Sequence, residues 1–222
     1  MERIIISFLT DLKENNNREW FKANKKYYEE ARQEFVEMVE FLIPALAAST
    51  QALVNLEAKD AIFRIYRDVR FGKDKSPYKI SMGAIMVPGG RKSEITGHYL
   101  HIEPGGSFLA GGAYGPKAER LKGIRSEIYY NSAEFKKIIT APDFVKYFGQ
   151  IEGSRLKRPP VGFPKDFGDI ELLKFKDFTV FHRLTDDEVL NPDFLSKAVN
   201  IFEKMNPFNE FLNRAMVGDS DL

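Results

Sequence analysis

The sequence predicts an α+β fold in a single domain over residues 1–222. An antiparallel β-meander of about four or five strands is expected to pack against an N-terminal helical segment and C-terminal helices. Three observations favour this fold. Apolar residues recur with helical spacing near both ends of the chain, and the middle holds runs rich in Ile, Val, Tyr and Phe. Short Pro-Gly turns join these runs, and such turns suit antiparallel neighbours.

The N-terminal part is predicted to be helical. Residues 3–13 space their apolar side chains like an amphipathic helix. Asn17 can cap the next helix, because its side chain can accept a hydrogen bond from the free N–H groups of the first turn. That helix is expected to run to about Ala48, and Pro44 should kink or end it.

The middle of the chain is predicted to form the strands, over residues 62–67, 80–87, 96–103 and 107–113. The tripeptide Pro-Gly-Gly follows the second and the third of these runs and supplies the turns. The run FTVFHRL, residues 178–184, can add a last strand. Because consecutive runs are joined by short turns, a meander is favoured over a parallel sheet.

The second half alternates between helical and irregular segments. A helix is expected to begin near Pro116 and to continue through Ile128. Residues 131–149 are typical of one or two short helices split near Pro142. The Pro-rich run at 155–169 is expected to be irregular, because its prolines and glycines suit neither helix nor strand.

The C-terminal segment is predicted to be helical and acidic. Thr185 and Glu188 match a capping box, and the helical pattern reaches about Met216. Residues 185–222 carry eight acidic and three basic side chains, a net charge of −5. Residues 64–79 carry six basic and two acidic side chains, a net charge of +4. The charges are therefore segregated along a chain whose formal net charge is only +1.

The composition excludes several classes of protein. The chain has no cysteine, so disulfides, catalysis by a thiol and metal sites with cysteine ligands are excluded. No apolar run is long enough for a membrane helix, and the N-terminus lacks a secretory cleavage pattern, so we expect a cytoplasmic protein without a membrane partner. The small net charge makes nucleic-acid binding unlikely, and no cofactor is expected.

The run FRIYRDVRFGKDKSPYK, residues 63–79, is the first candidate site, and we call it the basic segment. In an extended chain its side chains alternate between two faces. One face then carries the charged and phenolic groups: Ile62, Arg64, Tyr66, Asp68 and Arg70. The other is apolar except for Arg67, which should need a buried partner: Phe63, Ile65, Arg67, Val69 and Phe71. Gly72 and Pro77 permit the chain to fold back after this strand.

Two functions fit the basic segment. In the first, it binds a phosphorylated or carboxylated small molecule, because guanidinium groups suit bidentate contact with such anions. The expected anion ligands are Arg64, Arg67, Arg70 and Lys75. Asp68 would orient the arginines or act as a general base, and Tyr78 would donate a hydrogen bond. In the second, the charges form a structural ion-pair network in a non-catalytic module that binds a protein partner.

Two further groups of residues are candidates for binding or catalysis. The glycines of GGSFLAGGAYGPK, residues 105–117, can expose N–H groups to an anion or can mark a bulge or close strand packing. If this run faces the basic segment, Lys117 and Arg125 would contribute to the anion site. His98 and His101 lie three apart on a predicted strand, so they should point to opposite faces and cannot share a metal; no metal site is expected.

The basic segment also resembles a known signature. The pattern R-x-x-R-D-x-R-F-x-x-D/N-K-x-x-Y is matched at Arg64, Arg67, Asp68, Arg70, Phe71, Asp74, Lys75 and Tyr78. The segment thus resembles an uncharacterised bacterial and fungal family that is catalogued as a domain of unknown function. The resemblance extends to three other parts of the chain: NNNREWFKANKKYY, GHYLHIEPGGSFLAGGAYGP and LKRPPVGFP. It implies a single full-length domain and carries no assigned activity.

Overall fold

A computed structural model describes residues 4–70 and 73–215. Its α-helices are α1 (Ile4–Glu14), α2 (Arg18–Ala23), α3 (Lys25–Ala47), α4 (Ala58–Ala61), α5 (Ala118–Tyr130), α6 (Ser132–Ile139), α7 (Pro142–Phe148), α8 (Ile170–Leu173), α9 (Asp186–Leu190) and α10 (Phe194–Arg214). Its strands are β1 (Met82–Met86), β2 (Gly97–Ile102), β3 (Phe108–Ala113) and β4 (Phe178–Arg183). No helix within the described residues is long and apolar enough to cross a bilayer.

The four strands form one antiparallel sheet in the order β1-β2-β3-β4, so the predicted meander and the α+β class are confirmed. Along β2 the side chains alternate between buried and half-buried positions, as expected for a strand with one face on the core. The predicted strand at 62–67 is wrong. It makes only two isolated bridges, Ile62 to Ala84 and Tyr66 to Tyr78.

The helical predictions are confirmed except at their boundaries. The Asn17 side chain accepts a hydrogen bond from the N–H group of Trp20, and Thr185 forms the expected capping box with Glu188. The long helix expected after Asn17 is interrupted, because α2 ends at Ala23 and α3 begins at Lys25. Pro44 lies inside α3, which continues to Ala47.

The later helices differ from the expectation in where they begin and end. α5 begins at Ala118, two residues after Pro116. The two short helices α6 and α7 occupy the region predicted to hold them, and α7 begins at Pro142. The C-terminal helical segment is divided into α9 and α10, and the predicted end at Met216 lies outside the described residues.

The described residues divide into two compact units. Unit 1 takes its residues from Met1–Lys92, Tyr99–Leu109 and Arg183–Asn200, and unit 2 from Ser93–His98, Ala110–His182 and Ile201–Leu222. The core of unit 1 includes the fully buried Phe8 and Phe35. The core of unit 2 is aromatic: the rings of Phe135 and Phe211 are 4.8 Å apart between centroids. The assignment of residues 1–222 to a single domain stays a prediction.

Candidate functional site

The basic segment forms a short hairpin in unit 1. Arg67 donates its backbone N–H to Pro77, and Lys79 donates to Ile65, which closes a loop between them. The chain therefore folds back as predicted, although Gly72 lies outside the described residues. Pro77 has no N–H to donate and shortens the ladder, which is one reason that no regular strand forms here.

Asn16 completes this hairpin from the loop between α1 and α2. Its side-chain oxygen accepts from the backbone N–H of Tyr78 at 3.1 Å, and its amide donates to the backbone oxygen of Tyr78 at 3.0 Å. One side chain thus satisfies both backbone groups of Tyr78, as a neighbouring strand would. The ring of Tyr78 is buried and stacks on Phe21, with centroids 3.9 Å apart. Burial raises the pKa of the Tyr78 hydroxyl.

The predicted alternation of faces holds over residues 64–70: Ile65 is buried and Arg67 and Val69 are half-buried, whereas the residues between and beside them, Arg64, Tyr66, Asp68 and Arg70, are exposed. The order is reversed at the start of the segment, where Ile62 is buried and Phe63 is 37% exposed. Phe71, which was expected on the apolar face, lies outside the described residues.

Arg67 does not enter the core. Its side chain is 32% exposed and forms an ion pair with Asp74 in the following loop. Asp74 also accepts hydrogen bonds from the backbone N–H of Ser76 at 2.9 Å and from its hydroxyl at 2.6 Å. The Arg67 guanidinium and these two donors hold the pKa of Asp74 well below its usual range. The partner of Arg67 is therefore a protein carboxylate in the following turn, and because the Asp74 side chain is 58% exposed, the expectation of a buried partner is wrong.

Asp68 and Arg70 form a bidentate pair at the tip of the hairpin. The two Asp68 oxygens accept from Arg70 Nε at 2.9 Å and from Nη2 at 2.7 Å. These hydrogen bonds, with a smaller contribution from the charge of Arg64, lower the pKa of Asp68. A carboxylate with a lowered pKa is a weaker base, so this arrangement suits Asp68 as an orienting group more than as a general base. Lys75 likewise turns inward and donates to the backbone oxygen of Val69 at 2.9 Å.

Arg64 and Lys79 are the two cations of the basic segment that lie outside the loop closed by Arg67 and Pro77. Within the described residues neither forms a salt bridge. Lys79 is half-buried, and its Nζ lies 5.6 Å from the centroid of the Phe63 ring. Burial, and then the positive charge of Arg64, lower the pKa of Lys79. The Lys79 amine thus lies beside an aromatic ring and near enough to Arg64 to be affected by its charge, and we call Arg64, Lys79 and Phe63 the cation pair surface.

Lys117 and Arg125 belong to unit 2, and each has a partner there. Lys117 pairs with Glu94, which also accepts from Arg120. Arg125 donates to the backbone oxygen of Phe175 at 2.9 Å, and burial lowers the pKa of its guanidinium. Their contribution to an anion site with the basic segment stays a prediction.

The glycine pair of β3 serves strand packing. A Cβ on Gly112 would lie 2.0 Å from the backbone oxygen of Phe178, and a Cβ on Gly111 would lie 3.0 Å from the sulfur of Met205. The N–H of Gly112 donates to the Asn209 side chain at 2.8 Å. Of the two interpretations of this run, close packing accounts for both glycines.

A line of three polar side chains along β2 was missed by the sequence reasoning. Tyr99 and His101 share the half-buried face of β2, and Glu103, the first residue after the strand, continues the same two-residue spacing. His101 Nδ1 is 3.2 Å from the Tyr99 hydroxyl, and its Nε2 is 2.9 Å from a Glu103 oxygen. The spacing i, i+2, i+4 on a predicted strand was the available signal. We call these residues the β2 polar line.

The β2 polar line and the cation pair surface share one ring. Tyr99 contacts Phe63 edge to face, with centroids 6.1 Å apart, and Phe63 is also the ring beneath the Lys79 amine. Burial raises the pKa of the Tyr99 hydroxyl, with a smaller contribution from Glu103. His98 points to the opposite, buried face, as predicted. Within the described part of the chain, no cluster of three or more His, Cys, Asp or Glu side chains is arranged to hold a metal ion.

Comparison with known proteins gives one match. The model of a family described as "Conserved hypothetical protein (DUF2461)" matches residues 4–211. A search of curated proteins and a search of solved structures gave no match. Because the family model covers nearly the whole chain, the chain belongs to the conserved hypothetical protein family DUF2461.

Proposed function

We propose that this protein binds a small anionic molecule, phosphorylated or carboxylated, at the cation pair surface of unit 1. Arg64 and Lys79 contact the anion, and the Phe63 ring packs against the bound molecule. The proposal keeps the ligand class indicated by the basic segment and assigns the direct contacts to two of its residues, one of which, Lys79, was not among the expected ligands.

The observation that carries the proposal is the positive charge of Arg64 close to the half-buried amine of Lys79, where neither residue forms a salt bridge within the described residues. The pKa of Lys79 is lowered first by burial and then by the charge of Arg64, because both disfavour the charged amine. An anion placed between Arg64 and Lys79 would remove that repulsion and would accept charge-assisted hydrogen bonds from both. Folded proteins concentrate perturbed lysines at functional sites, which supports the same interpretation.

The other expected ligands have supporting roles in this proposal. Arg67, Arg70 and Lys75 would have to leave their partners in the hairpin before they could bind a ligand. Their pairing instead keeps the loop folded, so that Arg64 stays beside Lys79. Asp68 orients Arg70, and Tyr78 anchors the hairpin through its buried ring. No catalytic role is assigned to Asp68.

The second candidate is an interaction module without a small ligand. The internal pairing of Arg67 and Arg70 favours it, because a self-paired loop is typical of a structural ion-pair network. An interaction module of this kind does not require Arg64 and Lys79 to act together. The two functions therefore differ in what happens when one of these cations is removed.

Calorimetric titration with inorganic phosphate and with citrate tests the proposal. We expect Arg64→Ala and Lys79→Ala each to weaken binding of at least one probe by about tenfold or more, as for a lost charge-assisted hydrogen bond. Lys73→Ala is the matched control, because Lys73 is an exposed cation of the same loop and its loss changes the net charge equally. Equal weakening in all three variants, or no binding by the unmodified protein, would contradict the proposal.

A further inference from the structure

The β2 polar line has a defined direction of hydrogen bonding. A carboxylate can only accept, so in the tautomer of a neutral imidazole that this contact selects, the proton of His101 lies on Nε2 and is donated to Glu103. His101 Nδ1 is then an acceptor, and the Tyr99 hydroxyl donates its proton to it. The Tyr99 hydroxyl proton is then engaged by His101, and the oxygen is left with free lone pairs. Toward any further group, it can only accept a hydrogen bond.

The surroundings hold this acceptor in place. The His101 imidazole stacks on the Phe108 ring, with centroids 4.4 Å apart and planes 12° from parallel. The backbone N–H of Glu103 donates to the Ser107 hydroxyl at 3.0 Å, and that hydroxyl donates back to the Glu103 carbonyl at 2.9 Å. An acceptor fixed by packing and by neighbouring hydrogen bonds loses little entropy when a ligand binds.

Gly83 of β1 makes room for the same hydroxyl. A Cβ at this position would lie 2.3 Å from the Tyr99 oxygen, which is too close for any real side chain. The backbone of Gly83 also accepts the N–H of Phe63 at 2.9 Å, so the tyrosine and the ring beneath Lys79 are positioned by the same residue. The Tyr99 ring and the Lys79 amine therefore both contact the Phe63 ring.

We propose that the ligand is an anion that also carries a hydroxyl group, as in a polyol or sugar phosphate, and that the Tyr99 oxygen accepts a hydrogen bond from that hydroxyl. This inference rests on the proposed function, since the anionic group binds Arg64 and Lys79. A second anionic oxygen or a carbonyl is disfavoured at Tyr99, because the oxygen there offers no donor. A protonated amine is disfavoured by the two nearby cations. Tyr99 contacts the ligand, and His101 and Glu103 are positioning residues.

Two matched pairs of compounds test this inference by calorimetry. Glycerol 3-phosphate is compared with n-propyl phosphate, and glycerate with propanoate, so that each pair has the same anion and chain length and differs in hydroxyl groups. We expect about three- to tenfold tighter binding of the hydroxylated member in one pair, as for a neutral hydrogen bond. Tyr99→Phe should remove this preference and leave the affinity for the unhydroxylated member unchanged. Arg64→Ala should weaken both members alike.

The outcomes separate the two proposals. If no member of either pair binds, the anion site itself is refuted. If the anions bind but hydroxyl groups give no advantage, or if Tyr99→Phe keeps the advantage, only the present inference is overturned.

Glu103→Gln is the second variant should Tyr99→Phe not fold. The amide of the glutamine can donate a hydrogen bond, which disturbs the His101 tautomer, and we expect the variant to reduce the preference for hydroxylated compounds. Unchanged selectivity in Glu103→Gln would likewise count against the inference. Tyr114→Phe, at an exposed tyrosine of unit 2, is the control and should change nothing.

Discussion

The buried His98 should make the stability of this protein sensitive to mild acid. Its side chain is 3% exposed, packs against Phe202 and bonds through Nε2 to the Asn206 oxygen at 2.9 Å. Burial lowers the pKa of His98 from 6.5 to about 4, against smaller opposing effects of hydrogen bonds to Asn206 and to the backbone of Phe202. The imidazole is therefore neutral in the folded protein at pH values where it is charged in the unfolded chain.

The size of this pH effect on stability follows from the difference between the pKa values of His98 in the folded and the unfolded chain. A group whose folded pKa is depressed binds its proton first in the unfolded chain, so the folded state loses stability as the pH falls from 6.5 to 4. Each pKa unit corresponds to about 1.4 kcal/mol, so the full loss is about 3 kcal/mol, and it levels off below pH 4. That is a large fraction of the stability of an ordinary domain.

Urea unfolding of the protein and of His98→Gln, at several pH values between 8 and 4, measures this effect. Other titrating groups contribute equally to both proteins, so the difference between their unfolding free energies isolates His98. We expect that difference to shift by about 3 kcal/mol in favour of the variant as the pH falls across this range. A difference that stays constant with pH would refute the assignment of His98 as a neutral buried group.

Two further stability predictions test the packing around the site. Gly83→Ala would place a methyl group 2.3 Å from the Tyr99 hydroxyl, so we expect a loss of about 1–3 kcal/mol in urea unfolding; Gly168→Ala, which meets nothing within 4 Å, should change stability little. Asn16→Ala leaves both backbone groups of Tyr78 without their partner, and we expect a loss of about 1–3 kcal/mol together with faster amide hydrogen exchange at Tyr78. Unchanged exchange in the Asn16 variant would contradict its role in the hairpin.

Much of the fold could be predicted because its signals are local. The cap at Asn17 is recognised by residues within one turn of it, and the box of Thr185 with Glu188 by residues three apart. The four strands were likewise found from composition and from the turns between them. The strand predicted at 62–67 does not form, and the contacts that determine the structure there are made by residues distant in sequence. Asn16 is 62 residues from Tyr78, and no local pattern indicates that a loop asparagine will occupy the place of a strand.

The candidate site was predicted only in part, for the same reason. The sequence shows the charges of the basic segment. It does not show which of them form ion pairs, because the pairing of Arg67 and Arg70 depends on how the loop folds. Lys79 was overlooked because its properties come from burial and from its neighbour Arg64. The β2 polar line was missed, although its alternation along one strand is present in the sequence. Its connection to the cation pair surface is not visible there, because Phe63 and Gly83 bring the two together from other segments.

The most direct test of the anion site is the pKa of the Lys79 amine, measured by NMR of the labelled lysine with and without inorganic phosphate. In the free protein we expect this pKa to lie below the ordinary lysine value, and Arg64→Ala should raise it by removing a neighbouring positive charge. A bound anion favours the charged amine, so saturating phosphate should raise the pKa in the unmodified protein. A Lys79 pKa that phosphate leaves unchanged, in a protein whose Lys79 signal responds normally to pH, would contradict the proposal that Arg64 and Lys79 bind an anion together.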